Sequence, residues 1–329
     1  MARRLLSIDA GVATAVWNRD NGSVGVIQSS SRPSGGSWTT PVDVSSPLGT
    51  ADLPQLTVDS TGLITAVWIR NNGTNTIIQS STSTDGVTWS TPVDLSAVGQ
   101  SATSPQVTVD GTGTAIAVWT RSDGTDNIVQ ASTRPRGGSW STPDDVSAVG
   151  QSASAPQVTV DGTGTAIAVW NRSNGSNDIV QSSVLPSGGS WSTPEDVSAP
   201  SGSAFQQQVT VDSTGLVTVI WNRSNGSNNI IQSSTSPGGI IWDTPVDLSE
   251  PLQDARAPQV VAGPNDRVIA VWERSNGTHS LIQSSSLLGS QAAALAPTGI
   301  NLGLPLGVAA MLLFAGVVLV VLRRRVGES

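Results

Sequence analysis

Short runs of alternating apolar and polar residues fill most of the chain, broken every few positions by Gly, Asn, Asp, Ser or Pro. Gln106-Val107-Thr108-Val109-Asp110 alternates with period two, and Thr114 to Arg121 is apolar and rich in β-branched residues. Asn127 to Thr133 is a third such run, and a fourth starts near Trp140 and ends about Ser147. Period two bounded by turn residues predicts strands, and the interior Pro and Gly break any helical pattern. The turns are Gly111-Thr112-Gly113, one containing Asp123-Gly124, and one containing Gly137-Gly138. Asn or Asp before Gly is the strongest short hairpin signal.

The four-strand pattern repeats. One Trp series is Trp17, Trp68, Trp119, Trp170, Trp221 and Trp272; the other is Trp38, Trp89, Trp140, Trp191 and Trp242. Every step is 51 residues, and the two series hold all 11 Trp of the chain. An Arg follows each first-series Trp by two positions (Arg19 to Arg274) and a Gln by eleven (Gln28 to Gln283). Five Pro (Pro41 to Pro245) and five Asp (Asp43 to Asp247) keep the same step. Residues 98–119 and 149–170 are nearly identical, the mark of duplication. A four-stranded unit of this length is the size of a propeller blade, so the fold class expected is all-β, a six-bladed β-propeller over residues 1–287. Independent small sandwiches are the alternative, disfavoured because a unit this short buries too little surface alone. The ends depart from the pattern. Residues 1–10 read as a worn first strand, and the sixth unit stops after its third strand near Ser286. Sequence upstream of Met1 is expected to supply the closing strand.

Composition narrows the chemistry. The 329 residues carry 16 Arg, no Lys and 24 acids, for a net charge of −8, and only 12% of them are charged. That balance argues against nucleic acid as a partner. The absence of Cys removes disulfides and thiol chemistry, and a lone His, His279 in a turn, leaves no multi-His metal site. Neither a cofactor nor a metal is implied. Asp123 and Asp126 lack the ligand spacing of an EF-hand loop.

Residues 302–322 carry no charge and are followed by Arg323-Arg324-Arg325. As a helix they span about 31 Å, matching a hydrocarbon core of about 30 Å. The expectation is a transmembrane helix at 302–322, a cytoplasmic tail at 323–329, and the repeats outside. Before it, in a stalk at 288–301, stands Leu295-Ala296-Pro297-Thr298-Gly299. Motif, apolar span and Arg tail together resemble a Gram-positive cell-wall sorting signal, in a variant with Ala296 where Leu-Pro-x-Thr-Gly is usual. The resemblance implies a sortase as partner, cleavage between Thr298 and Gly299, and attachment to cell-wall peptidoglycan. Residues 1–30 hold no apolar export segment, so a signal peptide is expected to be missing from this chain.

Ser83-Thr84-Asp85-Gly86-Val87-Thr88-Trp89 resembles the Asp-box hairpin of sialidase-type propellers, one residue short. In that family the boxes are structural. Its catalysis uses a Tyr nucleophile, and this chain has no Tyr. The acids recur from unit to unit, whereas a catalytic pair sits at one asymmetric place. The sequence therefore reads against an enzyme.

Trp and Arg two apart share a strand face, and the hairpin brings the Gln to it. A two-residue hairpin loop would set Ala117 opposite Gln130. The candidate ligand-binding sets are Trp68, Arg70 and Gln79; Trp119, Arg121 and Gln130; Trp170, Arg172 and Gln181; and Trp221, Arg223 and Gln232. Such a set stacks on a sugar ring and bonds its hydroxyls, giving a multivalent lectin or adhesin for glycans or matrix polymers. The competing reading has Trp filling the space between blades and Arg paired with a fourth-strand Asp such as Asp145. The second Trp series is expected to plug the blade cores. Three function classes follow: a surface-anchored binding module, a display protein without a ligand, and a glycoside-cleaving enzyme.

Overall fold

The computed structural model describes residues 3–7, 11–20, 22–275 and 277–288. Among them, strands form six antiparallel sheets in chain order, five four-stranded and the last three-stranded. Every sheet is a meander in which each strand bonds its sequence neighbour. In the third sheet the strands are Ala102–Val109, Ala115–Ser122, Asn127–Arg134 and Asp144–Asp145.

The expected strands are present, with two local differences. The hairpin after Ser122 closes on Asn127, so its loop has four residues, and Trp119 rather than Ala117 lies opposite Gln130. Asp123 shapes that loop by accepting the Thr125 and Asp126 N–H groups at 2.9 and 2.8 Å. A shift of two residues leaves every side chain on its expected face, which a shift of one would reverse. The fourth strand pairs over only two residues, because Pro143 has no N–H to give. Beyond it the Ser147 hydroxyl accepts the Val129 N–H at 2.9 Å and holds the chain against the sheet.

The cores lie between sheets. Val67, Ile78 and Leu95 of the second sheet meet Ala102, Ala117 and Trp119 of the third. The same arrangement joins the first sheet to the second, the third to the fourth, the fourth to the fifth and the fifth to the sixth. The second Trp series covers the rim of these seams and is not internal to a single sheet. Trp89 Nε1 donates to Ser29 of the preceding sheet at 2.8 Å, and Trp242 Nε1 does so to Ser182.

Consecutive first strands pack side by side, so the sheets fan in a propeller-like arrangement. Closure of the first sheet onto the sixth, expected from the sequence, is not seen among the described residues. Trp38 of the first sheet is accordingly 42% exposed, and Ile269 of the sixth is exposed too. No helix among the described residues is long and apolar enough to cross a membrane. The 302–322 span, the Arg tail and the motif Leu295 to Gly299 lie outside those residues.

Candidate functional site

The four candidate sets are brought together as the sequence implied but are sealed. Trp68, Trp119, Trp170 and Trp221 are each 0% exposed, pressed against the preceding sheet. None offers a face to a sugar, which corrects the lectin site drawn from sequence. Gln79, Gln130, Gln181 and Gln232 are buried and donate to Asp94, Asp145, Asp196 and Asp247 at 2.6–2.7 Å. The recurring fourth-strand Asp is therefore the partner of Gln and not of Arg. The Arg residues hold loops: Arg70 donates to the Leu48 carbonyl at 2.7 Å and Arg223 to that of Ser201 at 2.8 Å. Arg121 and Arg172 occupy the equivalent positions, opposite Ile128 and Ile179.

A different set of residues stands out. Each first strand from the second sheet onward carries a bulge, seen as a register break against its second strand. At its apex sits a non-glycine residue with left-handed φ: Leu53, Ser104, Ala155, Gln206 and Ala257, at 51° to 57°. Such a backbone costs about 1–3 kcal/mol per residue and collects at functional places. The flanking Ala and the residue after the apex are buried (Ala102 and Pro105 in the third sheet), while the bulge pair itself reaches solvent. Since the first strands lie side by side, the five bulges form one arc. Gln206 Oε1 accepts the Ala257 N–H, one bulge to the next, at 2.9 Å. Gln207 Nε2 likewise donates to the Ala155 carbonyl.

In four of the six units the residue after the first-series Trp (Asn18, Thr120, Asn171, Asn222) ties its sheet to the following bulge. Asn171 donates to Ala204 O at 2.5 Å, Asn222 to Ala255 O at 3.1 Å, and Thr120 Oγ1 accepts the Ala155 N–H at 3.2 Å.

The arc is chemically uneven. Its outward pairs are Asp52-Leu53, Thr103-Ser104, Ser154-Ala155, Phe205-Gln206 and Arg256-Ala257. Phe205 is 41% exposed. On the next bulge Arg256 binds Glu273 at 2.7 Å. The bond to Arg256 holds the Glu273 carboxyl below the usual range, against burial, and Glu273 in turn raises Arg256. An open aromatic ring and a guanidinium thus occupy two adjacent bulges, with an ionised carboxylate on the strand paired to the second of them. Such a set takes hydroxyls, acidic groups and a sugar face. The positive φ that makes these pairs protrude has no sequence signal beyond the Pro after the apex in four units, which Gln207 replaces in the fifth.

No family model matches the chain, and no curated protein matches it by sequence. Solved structures share its fold. An ulvan lyase, a polysaccharide lyase bound to -[GlcA(1-4)Rha3S]-, is 13% identical with a TM-score of 0.60, covering 89% of this chain and 80% of its own. The intramolecular trans-sialidase from Ruminococcus gnavus is 11% identical with a TM-score of 0.55, covering 83% and 89%. A protein of unknown function from Dyadobacter fermentans is 13% identical with a TM-score of 0.56, covering 87% and 93%. The fold is thus that of sialidase-like and polysaccharide-lyase propellers, and at such identity the likeness shows the fold alone.

These neighbours correct one expectation. Most are enzymes, an α-L-arabinofuranosidase from Fusarium graminearum among them, so the sequence argument against catalysis does not stand. Absence of Tyr excludes a tyrosine nucleophile, not the other chemistries this fold carries.

Proposed function

We propose that this chain acts on glycans through the bulge arc, with the sector Phe205, Arg256 and Glu273 as its centre. The observation that carries this is internal to the chain. Residues 98–119 and 149–170 differ only at Thr103/Ser154 and Ser104/Ala155, the bulge pair. The next difference, Thr120/Asn171, is the residue that reaches a neighbouring bulge. Within this stretch the copies have diverged only where the first strands meet, as expected of a surface that meets a ligand rather than a framework. Fold neighbours named as a polysaccharide lyase and a trans-sialidase support the class of ligand. The test is a glycan array with the intact chain, Phe205→Ala and Arg256→Gln, followed by reducing-end and unsaturated-product assays on whatever binds. Loss of binding by about tenfold or more in both variants is expected. Equal binding by all three proteins would sink the proposal.

The sorting-signal resemblance supports display of this domain on a Gram-positive surface, anchored through Thr298. Mass spectrometry of the wall-linked peptide tests this, and that peptide is expected to end at Thr298, with Gly299 released.

A further inference from the structure

A second feature lies on the outer rim, away from the bulges. Between the outer strands of the second sheet and the last hairpin of the third runs an open groove of about 380 Å³. Thr82, Ser90, Thr91, Asp94, Arg134 and Trp140 line it. The size falls within the range of small-ligand sites.

Arg134 is the unusual member. Its guanidinium lies over the Trp140 ring, 5.3 Å from the centroid, and donates to Thr65 Oγ1 of the preceding sheet at 2.7 Å. Burial pushes its pKa down, with Asp59 pulling it back up. Among the described residues no carboxylate lies within ion-pair distance of it; Asp59 is paired instead with Arg136, at 3.4 Å. A partly desolvated cation, held flat and without a bonded anion, is a ready partner for one. Asp94 gives one oxygen to Gln79 at 2.7 Å and borders the same groove.

The combination occurs once. At the Arg134 position the other units carry Arg32, Ser83, Leu185, Ser236 and Leu287. Arg32 lies over Trp38 at 5.2 Å, but that sheet is first in the chain and has no preceding sheet packed on it among the described residues.

From this groove we infer a second carbohydrate site, one that takes a uronate residue: the sugar carboxylate on Arg134, its ring hydroxyls on Asp94 and the Ser and Thr hydroxyls. The site is separate from the bulge arc and stands or falls independently of it. The probe is trigalacturonate, with maltotriose and acetate as the neutral-sugar and bare-anion comparisons, titrated calorimetrically into the full chain. Trigalacturonate is expected to bind, maltotriose and acetate at least about tenfold more weakly. Arg134→Gln is expected to weaken trigalacturonate at least about tenfold, Arg134→Lys and Thr91→Val by less, and Arg32→Gln not at all. Thermal unfolding of each variant separates lost binding from lost fold, and Thr91→Val carries the test if Arg134→Gln does not fold. Phe205→Ala leaves this site intact, so failure at the arc and failure here are distinguishable. No binding of trigalacturonate, binding equal to that of maltotriose, or an undiminished Kd in folded Arg134→Gln would overturn the inference.

Discussion

The seams between sheets and the bulge arc are built from the same repeat, yet the chain treats them differently. At the seams the same residue types return at every step: a Trp, small Ala residues and β-branched side chains. On the arc the outward residue is in turn an acid, a hydroxyl, a hydroxyl, an aromatic and a base. The difference is physical. A seam residue is enclosed by two sheets at crystal-like packing density, so a change of volume on either side is felt. A bulge residue opens to solvent and is constrained by backbone conformation, not by neighbours. Repetition therefore marks the framework here, and divergence marks the surface available to a ligand.

The largest expected effect comes from breaking a seam. Trp119→Ala removes a fully enclosed side chain and is expected to cost about 3–5 kcal/mol. Trp38→Ala, at the open face of the first sheet, is expected to cost under about 1 kcal/mol. Urea unfolding of the two variants reads the contrast, and comparable losses would mean that the first sheet's face is covered in solution.

How far the sequence revealed this follows from the same contrast. The 51-residue step located the sheets, because enclosed Trp must recur wherever one sheet meets the next. The role of those Trp was open, since a strand face rich in Trp, Arg and Gln suits both a sugar and a neighbouring sheet. Which of them it meets depends on how sheets stack, a tertiary fact. Likewise the Gln–Asp pair was missed because Gln130 and Asp145 lie on third and fourth strands whose register depends on the loop that ends at Pro143. The bulge arc was invisible for a different reason: Leu53, Ser104 and Ala155 are not residues that announce a left-handed backbone.

An intermediate effect is expected where a loop crosses a hairpin. Gly49 has φ of 109°, and a Cβ there would stand 2.2 Å from the Asn71 carbonyl oxygen. Gly49→Ala must move backbone and take up a strained conformation, for an expected loss of about 2 kcal/mol. Gly73 also has positive φ but nothing within 4 Å of a Cβ, so Gly73→Ala is expected to lose about half as much. Equal losses would show that conformation alone, not the crossing, sets the effect.

The Asp-box-like hairpin of the second sheet should show itself in pH. The Asp85 carboxylate accepts the Thr88 and Val87 N–H groups at 2.7 and 2.8 Å. Those bonds, Thr88 foremost, with Ser83, lower its pKa from 3.8 to about 2 against burial. A depressed carboxylate contributes stability that is present above the unfolded pKa and lost as pH falls toward the folded one. Stability is therefore expected to decline between about pH 4 and pH 2, and Asp85→Asn to flatten part of that decline. The matching turn of the third sheet, Pro135-Arg136-Gly137, has no carboxylate of its own, but Arg136 pairs with Asp59 at 3.4 Å and helps hold that carboxyl low, so Arg136→Ala is expected to flatten the decline too, by less than Asp85→Asn. Acid titrations of the two variants followed by circular dichroism compare them.

The smallest effects are expected on the arc, and their sign is the point. Exchanging Thr103 and Ser104 for the Ser and Ala of the fourth sheet is expected to change stability by less than about 0.5 kcal/mol, since both pairs reach solvent on the same backbone. Ala155 holds φ of 53° with its side chain exposed, and there glycine relieves the strain without opening a cavity. Ala155→Gly is thus expected to stabilise by up to about 1 kcal/mol, the relief being partly offset by added freedom of the unfolded chain. Thermal unfolding against Ala153→Gly, a buried neighbour on the same strand, gives the reference, which should lose stability. A residue whose replacement by glycine raises stability, in a position the chain nevertheless keeps non-glycine in all five bulges, is kept for its side chain or its rigidity at the surface. A loss on Ala155→Gly equal to that of Ala153→Gly would place the bulge in the framework with the seams and remove the distinction on which the glycan-binding proposal rests.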